Sequence, residues 1–251
     1  MDKKWILPIV LFVVSFSFSS AGAYEAINGP TQLIQYKASK AYEGYTLLTP
    51  IRSDKTYLID MLGYVVHTWE HKTKLSGQHF VLLENGHILG NTAPIEDAGK
   101  LNYGGAVGGL IELDWDGNVV WEWEPGLSDA TTVHHDFVRL PNGNTLCNIW
   151  EAISYEDAIA GGRRVDQTTE KGVVADAIYE IDPDGNIVWR WSAWEHRGMN
   201  SKFNLDVNYI NYVLPEYARD NPDWTHFNNV DYDPATDRIL TDSREFGELY
   251  I

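Results

Sequence analysis

The sequence repeats one pattern three times: residues 57–69 read YLIDMLGYVVHTW, residues 111–123 read IELDWDGNVVWEW, and residues 179–191 read YEIDPDGNIVWRW. Each copy has a run rich in β-branched and aromatic residues, a short polar segment containing Gly, and a second such run. β-Branched and aromatic side chains favour strands, and Gly, Asn and Asp suit the positive φ angles of tight hairpin turns. Each copy therefore predicts a β-hairpin.

A second hairpin pattern follows each copy, in residues 82–89, 140–146 and 232–240. Two hairpins per copy predict a four-stranded sheet. Repeats of about 40–50 residues with four strands are typical of β-propeller blades. The predicted fold class is therefore all-β, a β-propeller with about three four-stranded blades. Residues 161–164 are interpreted as a loop between blades and 192–224 as a long loop.

The N-terminus has the pattern of a secretory signal peptide. Two lysines precede an apolar run over 5–18, and the small residues Ala21-Gly22-Ala23 follow. A positive start, a short apolar stretch and a small-residue end are the three parts of such a signal. We predict a signal peptide over 1–23 and a periplasmic or secreted protein, with an uncleaved anchor as the alternative.

The remaining chain divides into a lead-in strand region over 24–56 and a partial propeller over 57–251. Closed propellers have about four to eight blades. We therefore expect that the propeller is truncated at its C-terminus or is closed by a partner. A second copy of the chain, in a homodimer, is one such partner.

The charge of the chain bears on its partners. It carries 36 acidic against 19 basic residues, a formal net charge of −17. Phosphate backbones repel such a surface, so we expect no nucleic-acid partner. No segment after residue 23 is apolar and long enough to cross a membrane, so we expect no membrane association after signal cleavage.

Two histidine segments occur at related places in the repeat. His134 and His135 precede one second hairpin, and His226 precedes the next. Aligning the two segments places His134 opposite His226, and neighbouring residues of a regular strand point to opposite faces. The alignment thus favours His134, although His135 stays a candidate. Arg244 follows 18 residues after His226, where a cross-strand contact could bring the two together. Two imidazoles and a guanidinium would suit an anion with several oxygens.

Two other interpretations of these histidines stay open. His134, His135, Asp136 and His226 could bind zinc, but no short ligand spacing supports that hypothesis. An isolated histidine in a β protein is more often structural. We interpret the remaining histidines in that way: His67, His71, His79, His87 and His196.

Several segments together resemble the arylsulfotransferase family. They are residues 44–50 with 56–69, residues 134–144, and residues 224–228 followed by Ser243-Arg244. The resemblance covers roughly residues 42–251 and corresponds to the N-terminal portion of the family. Their order, with the interval from histidine to arginine, is more specific than any one segment.

The resemblance implies a six-bladed periplasmic propeller that transfers a sulfuryl group from a phenolic sulfate ester to a phenol. The implied route is ping-pong through a sulfated histidine, without a cofactor. It implies that His134 or His135, His226 and Arg244 are catalytic, and that Asn228 binds substrate. In the family the sulfated histidine comes later than the counterpart of Arg244, so we expect it to be missing here and the isolated chain to be inactive. The alternative is a non-enzymatic exported propeller that acts as a binding module.

Overall fold

The structure, a computed structural model, describes residues 36–94, 101, 104–125, 130–198, 202–209 and 222–251. The predicted signal peptide over 1–23 lies outside these residues. Within the described part of the chain, no helix has the length and apolarity needed to cross a bilayer. The predicted all-β class is confirmed, since the described residues form four antiparallel sheets and only one short α-helix, α1 (Tyr155–Ala160).

The sheets follow one another along the chain and are numbered 1 to 4. Sheets 1 and 4 have three strands, and sheets 2 and 3 have four. The strands are, for sheet 1, β1 (Thr46–Leu48), β2 (Lys55–Ile59) and β3 (Val65–Glu70); for sheet 2, β4 (Ser76–Leu82), β5 (Ile88–Thr92), β6 (Leu110–Leu113) and β7 (Val119–Trp123); for sheet 3, β8 (Thr131–Arg139), β9 (Thr145–Ile153), β10 (Val173–Ile181) and β11 (Ile187–Ser192); and for sheet 4, β12 (Val230–Asp233), β13 (Arg238–Ser243) and β14 (Glu248–Tyr250).

The predicted hairpins form, but the predicted grouping of hairpins into sheets is wrong. The second hairpin of the first copy, β4–β5, pairs through β5 with β6 of the next copy. It does not pair with β3 of its own copy. Alternating apolar residues specify strands but not which hairpins share a sheet. Two consequences follow: β1, inside the predicted lead-in, completes sheet 1, and residues 161–164 connect β9 to β10 within one sheet rather than linking two blades.

The repeated turns are closed by their aspartates. In the β6–β7 turn, the Asp114 carboxylate accepts hydrogen bonds from the backbone N–H groups of Asp116 and Asn118. Gly117 has a φ of 79°, which a residue with a Cβ rarely adopts. The sequence pattern thus specifies this turn chemically.

The repeated tryptophans connect consecutive sheets. Trp69, at the end of β3, donates from its indole Nε1 to the backbone oxygen of Asp114, 3.1 Å away in the turn of sheet 2. Trp123, at the end of β7, donates in the same way to Gly185 of sheet 3, at 3.2 Å. Each indole fills the space between two sheets and satisfies its own donor, which a buried tryptophan requires.

The apolar cores lie between consecutive sheets. Leu58 and Trp69 of sheet 1 pack with Ile88 and Leu113 of sheet 2. A larger cluster joins sheets 2 and 3, and a third joins Leu146 and Ile178 of sheet 3 with Val230 of sheet 4. The sheets therefore stack in chain order, which brings the first strands of neighbouring sheets, β8 and β12, close together.

Candidate oxyanion site between sheets 3 and 4

A bulge in β8 sets the direction of the two adjacent histidines. Val133 pairs with Ile149 and Phe137 pairs with Cys147, so four steps along β8 match two along β9. A bulge with extra residues breaks the alternation of a regular strand and re-aims the side chains it carries. His135 itself has a φ of 50°, in the left-handed region. The two histidines therefore do not follow the simple rule of opposite faces.

His134 turns into the interior, contrary to the orientation that the internal alignment favours. Its ring is fully buried and stacks on Trp150 with centroids 4.3 Å apart. Its Nε2 lies 2.9 Å from Oδ1 of Asp176, which is equally buried. His134 thus packs in the interior behind the site and does not line it.

His135 turns toward His226. The Nε2 atoms of the two imidazoles are 3.1 Å apart. The His135 ring lies so close to Gly105 that a Cβ at that position would sit 2.2 Å from Nε2. Gly105 also has a φ of 105°, so both its conformation and the space require glycine.

His226 lies in the segment that precedes β12, and backbone pairing holds that segment in place. The N–H of Val174 donates to the oxygen of Pro222, and the N–H of Trp224 donates to the oxygen of Val174. His226 has a φ of 49° and is only 5 % exposed. Its position is therefore set by β10 and not by contacts within the site alone.

The hydrogen bonds of His226 define its protonation. Nδ1 is hydrogen-bonded to the carboxylate of Asp223, and Nε2 faces Nε2 of His135. Burial disfavours the charged imidazole, but the hydrogen bond and charge of Asp223 outweigh burial and raise the pKa of His226. The doubly protonated form of His226 is therefore favoured more than in a free imidazole.

His135 has the opposite tendency. Burial, together with the charges of His134 and His226, lowers its pKa to about 4. A neutral His135 that carries its proton on Nδ1 can accept a hydrogen bond at Nε2 from Nε2–H of His226. The pair thus offers one cationic donor beside one neutral imidazole.

Arg244 adds a second cation at the rim. Its backbone N–H donates to the oxygen of His226 at 2.9 Å, so the residue that follows β13 is hydrogen-bonded to the histidine segment. Its Nη1 lies 3.5 Å from Nδ1 of His226. The side chain is 38 % exposed, which leaves the guanidinium accessible to a ligand. Its Nε lies 3.5 Å from a carboxylate oxygen of Glu245, so a ligand anion would share the guanidinium with Glu245.

Asn228 lies near the histidine pair in sequence but is directed elsewhere. Its backbone N–H and its Nδ2 donate to the two carboxylate oxygens of Asp242, at 2.8 Å and 3.1 Å. The residue is exposed. A ligand would have to compete with Asp242 for this amide.

The zinc hypothesis finds no common ligand set among the described residues. Asp136 accepts from the backbone N–H groups of Phe137 and Val230, while His134 faces Asp176. A different trio, Asp223, His226 and Glu245, has one donor atom each within 4.8 Å of the others. The guanidinium of Arg244 beside the same imidazole places a fixed positive charge there, so the arrangement favours an anion over a divalent cation.

The other histidines have structural partners. His71 meets the Thr56 hydroxyl at 2.9 Å, and His87 meets Glu112 at 2.7 Å. The remaining three have similar neighbours, namely the Trp115 oxygen for His67, Asp136 for His79 and the Ser192 oxygen for His196.

Sequence reasoning missed Asp223 and Asp176. Asp223 precedes His226 by three residues, a spacing that could have suggested a carboxylate–imidazole pair. Asp176 stands in the apolar run from Val173 to Ile178, and a charged residue in a strand that is otherwise apolar is rarely buried without a partner. Either feature could have flagged these residues.

A separate cleft lies elsewhere between sheets 3 and 4. It has a volume of about 550 Å³ and an aromatic lining that includes Trp189, Trp191, Phe203 and Tyr250. None of the site residues above lines it. Its shape suits an aromatic side chain, but it lacks the histidines that anion chemistry requires.

The comparison with protein families decides the relationship. The family model described as Arylsulfotransferase (ASST) matches residues 30–247. The chain belongs to the arylsulfotransferase family. A search of curated proteins found no match. The family match spans both histidine segments and Arg244, so membership supports a transferase role and phenolic sulfate and phenol as the substrate classes.

Proposed function

We propose that this arylsulfotransferase-family chain binds the sulfuryl group of a phenolic sulfate between His135, His226 and Arg244, and thereby supports its transfer to a phenol. The observation that carries the proposal is the contact of His226 with both His135 and Arg244. A transferring sulfuryl group spreads negative charge over its oxygens. Preorganised cationic donors stabilise such charge, as they do in phosphoryl transfer.

The proposed route is ping-pong through a sulfated histidine. In the first half-reaction a histidine nitrogen forms an S–N bond, the S–O bond of the donor breaks, and the phenolate leaves with the electron pair. In the second, the acceptor phenol attacks sulfur, the S–N bond breaks with its electron pair returning to the histidine nitrogen, and that nitrogen takes the proton of the phenol. By the family resemblance the sulfated histidine lies beyond Arg244 in sequence order. The residues named here would then hold the oxygens and not carry the group.

The proposal includes a setting. We propose that residues 1–23 direct export to the periplasm or the medium, and that the stacked sheets are blades of a propeller. Stacked β-sheets host many unrelated functions, so the function depends on the site and not on the sheets.

Sulfuryl transfer from 4-nitrophenyl sulfate to phenol, assayed with the product of the whole reading frame, tests the proposal. We expect Arg244→Ala and His226→Ala each to lower kcat/KM by about 10²–10³-fold, the usual effect of removing an oxyanion donor. Gln78→Ala is the matched control, because Gln78 occupies in β4 the register position of His135 in β8. Variants at 226 and 244 that keep the wild-type rate would contradict the proposed site, whereas a wild type that transfers no sulfuryl group would favour a non-enzymatic binding module.

A further inference from the structure

Resting on the proposed function, the geometry points to Asp223 as a positioning residue: its carboxylate accepts a hydrogen bond from Nδ1–H of His226 and stabilises the doubly protonated ring, which presents Nε2–H to the sulfuryl oxygens. Asp223 does not itself face the rim, since its side chain is only 1 % exposed. It acts through His226.

The position of Asp223 is set independently of the site. The residue forms an isolated bridge with Val174, and the backbone hydrogen bonds of Pro222 and Trp224 lie on either side of it. Trp224 is buried and donates from Nε1 to the oxygen of Asp206 at 3.2 Å. The carboxylate is therefore delivered by a backbone that does not depend on its own hydrogen bond.

A fixed acceptor at Nδ1 decides which nitrogen faces the ligand. A neutral ring with its proton on Nδ1 would have an acceptor at Nε2, so Nε2 donates only when both nitrogens are protonated, the form that the Asp223 carboxylate stabilises. Because Asp223 binds Nδ1, the Nε2 atom is left on the side of His135, 3.1 Å from its ring nitrogen. A sulfuryl oxygen that displaces His135 as acceptor would receive a charge-assisted hydrogen bond.

Other charged groups face His226 from every neighbouring element. Asp176 on β10 favours the protonated ring and Arg244 disfavours it. Glu245 has a carboxylate oxygen within 4.8 Å of a His226 nitrogen, and His135 approaches from β8, with the His134 ring next to that of His135. Asp223 is the carboxylate that is hydrogen-bonded to the ring, and its effect exceeds that of Asp176 in raising the pKa of His226.

Asp223→Asn, made in the whole chain, removes the negative charge and keeps the shape of the side chain. An effect of this variant on His226 can therefore be distinguished from a loss of folding. The control is Asp184→Asn, an exposed carboxylate in the β10–β11 turn. Two readouts are needed: the titration and tautomer of His226 by nitrogen-15 NMR, assigned with His226→Gln, and the pH dependence of 4-nitrophenyl sulfate binding by calorimetry.

In the wild type we expect binding to weaken as pH rises through the pKa of His226, which lies above its ordinary 6.5. In Asp223→Asn both the titration and this loss of binding should move down by at least about one pH unit, and affinity at pH 7 should fall about tenfold. Asp184→Asn should change neither. Added Zn²⁺ should not strengthen binding, whereas a zinc-dependent gain would assign Asp223 to metal binding and overturn the inference.

The two proposals can fail separately. If Asp223→Asn leaves the titration of His226 unchanged, Asp223 is not a positioning residue, even if affinity falls. If the wild type binds no aryl sulfate while the His226 titration still depends on Asp223, the sulfuryl-binding proposal fails, and only the control of protonation by Asp223 survives.

Discussion

The bulge in β4 of sheet 2 and the bulge in β8 of sheet 3 have the same register, but the residues buried at the two bulges differ in chemistry. In both, four steps along the first strand match two along the second, from Ser76 to Phe80 and from Val133 to Phe137. Gly77 in sheet 2 corresponds by register to His134 in sheet 3. A Cβ at Gly77 would lie 2.5 Å from Oδ1 of Asn91, so the backbone closes tightly there.

The same contrast appears on the neighbouring strands. Two residues before Leu110 of β6 lies Gly108, and two residues before its counterpart Ile178 lies Asp176. A Cβ at Gly108 would come within 2.6 Å of the oxygen of Ala93. Sheet 2 thus has two tightly packed glycines where sheet 3 has the buried His134–Asp176 pair.

This difference shows how a repeated sheet becomes a site. Asp176 accepts from the backbone N–H of Phe227 at 3.0 Å and is hydrogen-bonded to the Thr225 hydroxyl. It therefore fixes the residues on either side of His226. In sheet 2 the space is closed by tightly packed glycines, whereas in sheet 3 the buried His134–Asp176 pair anchors the next segment and thereby positions His226 against His135.

The largest expected effect comes from removing the anion of that pair. Asp176→Ala would leave His134, the Thr225 hydroxyl and the Phe227 N–H buried without their acceptor. We expect the free energy of unfolding to fall by about 3–5 kcal/mol, as for other broken buried pairs, when measured by urea denaturation. Asp184→Ala, at an exposed turn, should stay within about 0.5 kcal/mol of wild type. A loss below about 1 kcal/mol for Asp176→Ala would show that Asp176 does not anchor the segment that carries His226.

A smaller effect distinguishes the two asparagines opposite the bulges. Asn91 accepts from the N–H groups of Gln78 and His79, at 2.5 Å and 3.2 Å, and donates to the oxygen of His135 at 2.9 Å. Its counterpart Asn148 is equally buried, but its side chain has no hydrogen-bond partner in the described part of the chain. We expect Asn91→Leu to destabilise by about 2–4 kcal/mol and Asn148→Leu to be neutral or stabilising. Equal losses in thermal denaturation would show that the two bulges are closed alike.

The smallest effect concerns pH. Burial lowers the pKa of His135 to about 4, so this neutral histidine contributes stability above its ordinary value of 6.5 that is lost as pH falls toward 4. His135→Gln copies the Gln78 of sheet 2 into sheet 3. It should narrow the gap in unfolding free energy between pH 7 and pH 4.5 by about 1 kcal/mol, since water screens the partly exposed ring. The variant should still be less stable at pH 4.5 than at pH 7, because His71 also has a pKa lowered to about 4, chiefly by burial. An unchanged gap would mean that His135 is not held neutral.

Much of the scaffold could be predicted from the sequence because it depends on local chemistry. The Asp-to-Gly turns and alternating runs specify hairpins, and the repeat places Trp69 and Trp123 at equivalent strand ends. The pairing of hairpins into sheets could not be predicted, since β5 reads Ile-Leu-Gly-Asn-Thr and nothing in that run selects one neighbouring strand over another. The proximity of Arg244 to His226 followed from cross-strand reasoning, and the structure places the two together.

The site was less predictable because it departs from regular structure. The β8 bulge and the positive φ of His135 invalidate the alternation from which His134 was favoured. Asp176 and Asp223 reach the histidines from segments 42 and 3 residues away in sequence respectively, and only the folded chain shows the first of these contacts.

The most direct test of the account is a crystal structure of the protein with 4-nitrophenyl sulfate. The account predicts sulfuryl oxygens at hydrogen-bond distance, about 2.7–3.0 Å, from Nε2 of His226 and from the guanidinium of Arg244. A ligand bound only in the aromatic cleft of Trp189, Trp191 and Tyr250, with the histidine pair untouched, would contradict it.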